Sequence, residues 1–133
     1  MLHRATGILK YENNDDFYKL IVEVDPNLAL FYRSLIPKYK GVTGQRYPPH
    51  ISVVRKEIPP NLALWGKYEE SPVDFVYDSD IQNDDKYWWL NAFSTRLEEI
   101  RVELGLPVTS PFTRPPSGFL KCFHITLGNT KAL

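Results

Sequence analysis

Two segments of this chain hold an imidazole and a hydroxyl at the same spacing: His50-Ile51-Ser52-Val53 and His124-Ile125-Thr126-Leu127. Both read His-x-[Ser/Thr]-aliphatic. Side chains alternate along a strand, so His50 and Ser52 point one way and Ile51 and Val53 the other. His124 and Thr126 likewise oppose Phe123, Ile125 and Leu127. If the two strands lie side by side, one surface gains two imidazoles and two hydroxyls. That set suits phosphodiester chemistry. One neutral histidine takes a proton from an attacking hydroxyl or water, and the other, protonated, gives one to the leaving oxygen. Ser52 and Thr126 would hydrogen-bond the non-bridging oxygens of the pentavalent transition state. The scheme needs no metal or other cofactor.

Ser and Thr make up fourteen of 133 residues, so both histidines acquire one at +2 by chance about once in a hundred sequences. The charge layout supports the pairing. Sixteen Lys and Arg balance sixteen Asp and Glu, which argues against a non-specific DNA coat. Yet residues 26–56 contain no acid and carry Arg33, Lys38, Lys40, Arg46, Arg55 and Lys56, and from Leu104 to the end there is again none. Both motifs lie in these acid-free stretches, which would form a positive cleft if they fold together. The third histidine, His3, is expected to be exposed near the terminus.

The elements that must position these residues follow from period and punctuation. Ala5–Tyr11 and Tyr18–Val24 read as strands about an Asn13–Asp16 turn. Asp25 is placed as a helix N-cap with Pro26 at the first position, and Leu28, Phe31, Tyr32 and Leu35 fall on one helical face until Pro37. Lys40–Pro49 reads as a loop, His50–Arg55 as a strand, and the residues after Pro59-Pro60 as a short turn reaching Trp65. Strands are expected at Val73–Tyr77 and Lys86–Leu90. A second helix carries Phe93, Leu97, Ile100 and Leu104, with Thr95 and Glu98 as a capping box and Gly105 as the C-cap. Residues 106–120 hold four prolines and form a long loop before the strand Phe123–Leu127. The order β β α β therefore occurs twice.

At the two motifs the sequence resembles the 2H phosphoesterase superfamily, whose hallmark is a pair of His-x-[Ser/Thr]-aliphatic strands. Tyr47-Pro48-Pro49-His50 and the Gly128 that follows the second motif also look typical of it. The resemblance implies a single α+β domain over 1–133. Its fold would be bilobal, with two pseudo-symmetric antiparallel sheet lobes, flanking helices and a central cleft. It implies metal-independent chemistry on phosphodiesters, with His50 and His124 as the acid–base pair and Ser52 and Thr126 as phosphate donors. The substrates implied are a cyclic nucleotide, a cyclic oligonucleotide or an RNA end. At this length the chain is expected to lack the extensions that RNA-joining members carry. It is similar in size to phage enzymes of the anti-CBASS type, which destroy cyclic-oligonucleotide alarm signals.

Arg46, Tyr47, Arg55, Arg114 and Lys121 are candidates for substrate contact, each weighed equally against a plain surface role. Cys122 shares parity with His124 and is expected to pack rather than react. Of Tyr87-Trp88-Trp89, alternation sends Trp88 to one side and its neighbours to the other, so one ring belongs to the core and another could stack on a base. Loop 106–120, with Phe112 and Phe119, could cover the site. Three other readings remain: an RNA-processing nuclease in which the substrate's 2′-hydroxyl attacks, a silent nucleotide- or RNA-binding module, and a two-histidine metal site. The last is disfavoured because no carboxylate or third histidine stands at ligand spacing. With one cysteine there is no internal disulfide, and a cytoplasmic setting is expected. No apolar run is long enough to span a membrane, and no obligate protein partner is evident.

Overall fold

The computed structural model describes residues 1–45, 47–111 and 113–130. Seven strands and two α-helices follow in the order β1 (Leu2–Asn13), β2 (Tyr18–Glu23), α1 (Pro26–Ser34), β3 (His50–Arg55), β4 (Pro72–Asp78), β5 (Gln82–Asn83), β6 (Tyr87–Phe93), α2 (Thr95–Glu103) and β7 (Phe123–Asn129). Short 3-10 turns lie at Lys38–Lys40 and Leu62–Leu64. Among the described residues no helix is long and apolar enough to cross a membrane.

The expected bilobal, two-sheet arrangement is not what forms. The strands run β4-β1-β2-β3-β7-β6, and β6 pairs back onto β4, so six strands close one antiparallel barrel, with two-residue β5 beside β6. The doubled β β α β order is present. What period and punctuation leave open is which strands pair across the halves. β1 pairs β4 over seven positions, from Leu2↔Asp78 to Ile8↔Pro72, and β3 pairs β7. Each of these pairings uses backbone groups that separate sheets would leave as open edges. With two short α-helices against seven strands, the described residues are mostly β.

Buried residues alternate along the strands and join the helices in one core: Leu20 and Val22, Ile51, Val53 and Val54, Phe75, Leu90, Ile125 and Leu127, with Ala29 and Tyr32 of α1 and Leu97 and Ile100 of α2. Asp25 caps α1, its Oδ1 accepting from Asn27 N at 2.9 Å. The buried residues of α1 are Ala29 and Tyr32; Phe31 and Leu35, expected to share the core-facing side, are each 57% exposed. The cap of α2 is Ser94, whose Oγ accepts from Leu97 N at 3.2 Å, rather than Thr95, because β6 runs on through Phe93. Gly105 ends α2 at φ +82°, a conformation glycine enters without steric cost.

Candidate active site

The motif strands are neighbours. Ile51 pairs with Ile125 in the β3–β7 ladder, and both side chains are fully buried. Carrying that antiparallel register one residue each way sets His50 opposite Thr126 and Ser52 opposite His124. Directly opposed residues have Cα atoms about 4.5–5.5 Å apart. Both imidazoles and both hydroxyls therefore share one face of the barrel wall, half-buried.

A β-bulge gives each motif strand the same form. On β3, Ser52 pairs with Ile21 but Val54 with Leu20, so Val53 and Val54 are both buried. On β7, Thr126 pairs with Trp89 but Gly128 with Trp88, so Leu127 and Gly128 are both buried. The bulged carbonyls are held by arginines in the last turns of the helices. Arg101 Nη1 of α2 donates to Val53 O at 2.7 Å, and Arg33 Nη1 of α1 donates to Leu127 O at 3.4 Å. Each half thus braces the motif strand of the other. Arg101 is fully buried and also makes a bidentate pair with Glu57, at 2.9 Å to each oxygen, and its Nε donates to Pro107 O at 2.6 Å.

The two histidines differ in their surroundings. His50 Nδ1 lies 2.9 Å from Pro48 O. A carbonyl only accepts, so Nδ1 carries the proton and Nε2 keeps its lone pair. His124 Nε2 faces the Arg114 carbonyl at 3.4 Å, a long contact, and its ring stacks on the Trp89 indole at 5.0 Å and 27°. Trp89 Nε1 in turn donates to Oδ1 of Asn91, the residue opposite His124 on β6. Burial pushes both imidazoles below the ordinary value of 6.5. At His50 the Pro48 bond and Glu12 oppose the shift while Lys19 and Arg55 add to it, and at His124 the Arg114 carbonyl opposes it.

The other candidates fall out unevenly. Arg46 and Phe112 lie outside the described residues. Tyr47 is 63% exposed, with Lys19 Nζ 5.5 Å from its ring centroid. Arg55 stands on the histidine face, although a strict period of two sends it to the core; the bulge supplies the extra residue. Arg114 approaches through its main chain, and its exposed guanidinium is close enough to Asp84 to stabilise that carboxylate. Lys121 lies outside β7 and pairs with Glu98 at 2.8 Å. Cys122 is buried and its thiol is pushed up to about 11, as packing requires. Trp88 is the core ring of its cluster and Trp89 the one on the site. The segment after α2 is pinned by Arg101 and by Phe93 against Phe119 at 5.0 Å. Lys19 and Asn91 went unnoticed because their place depends on cross-strand register. Among the described residues no group of three or more His, Cys, Asp or Glu is placed to hold a metal ion.

The loop entering the first motif is zipped to the end of the second. Thr43 and Asn129 exchange both backbone hydrogen bonds at 3.0 Å, and a Cβ on Gly128 would lie 2.4 Å from Thr43 O and 2.8 Å from Val42 Cγ1. Gly128→Ala is therefore expected to destabilise the fold by about 1–3 kcal/mol through overpacking against backbone. Thermal melts check this, and an unchanged melting temperature would contradict the close approach.

Compared with family models, curated proteins and solved structures, the chain matches none.

Proposed function

We propose that this chain is a phosphodiesterase of the two-histidine type, hydrolysing a cyclic phosphodiester of a nucleotide. The observation that carries the reading is the Ile51↔Ile125 register, which gathers His50, Ser52, His124 and Thr126 on one face. His50 is the base. Its Nε2 lone pair takes a proton from water as the water oxygen bonds to phosphorus. His124 is the acid. As an imidazolium it gives a proton to the oxygen whose bond to phosphorus breaks. Stacking on Trp89 favours the cationic ring, since the indole face attracts positive charge. Ser52 and Thr126 donate to the non-bridging oxygens.

The test is incubation in EDTA with 2′,3′- and 3′,5′-cyclic mononucleotides, cyclic di- and trinucleotides and a short RNA, with products separated by chromatography. Turnover of a cyclic phosphodiester supports the reading. Cleavage confined to RNA bearing a 2′-hydroxyl would replace it with the nuclease reading, and tight binding with no turnover would replace it with a silent module.

The pH profile adds a separate check. Catalysis needs His50 neutral and His124 charged, and both values lie below 6.5. The bell in kcat/KM should therefore peak on the acid side of 6.5 and decline by neutral pH. A maximum at pH 8 would contradict these assignments. The same depression makes the unfolded chain bind more protons, so the two histidines reduce stability as pH falls below 6.5.

A further inference from the structure

We propose that Lys19 and Arg55 form a second phosphate subsite beside the histidines, so that the substrate is an oligonucleotide carrying a phosphate next to the one that is cut. The scissile position rests on the reading above; the subsite itself does not.

Lys19 and Arg55 are directly opposed in the β2–β3 ladder, on the face of His50 and Ser52. Like charges directly opposite each other destabilise a sheet. One carboxylate answers them: Glu12 on β1, 3.8 Å from Lys19 Nζ and well exposed. Among the described residues the Arg55 guanidinium has no hydrogen bond or ion pair. An anion shared by the two cations removes the conflict. Both cations also act on the half-buried His50 ring electrostatically, with Glu12 opposing them, in keeping with their place on its face.

The spacing fits a nucleotide chain. The bulge makes Arg55 two ladder steps from Ser52, about 7 Å along the strand. That is within one nucleotide of a phosphate held by Ser52 and Thr126. The exposed Tyr47 ring, against Lys19, offers a stacking surface for the base between the two phosphates. A cyclic mononucleotide would leave this end of the site unused.

The test is calorimetric titration with the thymidine dinucleotides TpT and pTpT, which differ by one phosphate, each checked to be intact afterwards. The parent should bind pTpT about tenfold more tightly than TpT at low salt, the increment of one charge-assisted contact. In Lys19→Gln/Arg55→Gln the ratio should fall toward one, and Arg55→Lys should keep most of it. Arg55→Gln should hold or raise the melting temperature, because it relieves the opposed charges. A ratio near one in the parent, or an undiminished ratio in the double variant, overturns the subsite. If the phosphodiesterase reading is the one that fails, the cyclic panel stays intact while the pTpT increment persists.

Discussion

His50→Ala and His124→Ala are each expected to slow turnover about 10²–10⁴-fold, the usual weight of one positioned acid or base. Stability should change by about 1 kcal/mol, the central value for single substitutions, since both rings are half-buried outside the core. The asymmetry between the two losses follows from the geometry. Without His50 no lone pair faces the attacking water, since Ser52 and Thr126 are weak bases. Without His124 the leaving oxygen departs unprotonated, so a substrate with an acidic leaving group should recover much of the rate in His124→Ala and little in His50→Ala. Steady-state rates on substrates of graded leaving-group pKa, with circular dichroism to confirm folding, check both halves. Equal recovery in the two variants would contradict the assigned roles.

Arg101→Met is expected to cost about 3–5 kcal/mol, because it breaks a buried charge pair and leaves one partner. Arg101 is fully buried, Glu57 keeps only 11% side-chain exposure, and two carbonyls, Val53 O and Pro107 O, lose their donor. Methionine fills much of the volume, so the loss is electrostatic rather than a cavity. Denaturant unfolding measures it. The double change Arg101→Met/Glu57→Met should recover part of the loss, because no stranded charge remains. A loss under about 1 kcal/mol would mean that the network contributes no more than an exposed ion pair. Arg33, which braces the other bulge at 3.4 Å and is only partly buried, should cost less when replaced.

The strands, the Asp25 cap and the shared face within each motif were legible because each depends on residues close in sequence. Alternation sorted His50 and Ser52 from Ile51, and Trp88 from Trp89. The barrel was not legible. Its closure rests on β1 pairing β4 and β4 pairing β6, contacts between distant segments whose partners no local pattern names. The bulges were hidden for the same reason. Val53-Val54 looks like ordinary strand apolarity, and only the partner strand shows that one residue is extra. That single residue moves Arg55 from the core side to the histidine side and brings it against Lys19. Lys121 shows the same limit: its place next to the motif strand is legible, whereas the Glu98 of α2 that engages its ammonium group is not.

The most direct test of the central claim, that two histidines on paired strands act on one phosphate, is the turnover in EDTA of the parent, both single alanine variants and the double variant. The account predicts that each single change removes most of the rate and that the double loses little more, because the pair works as a unit. A folded single variant that keeps the parent's rate would contradict it.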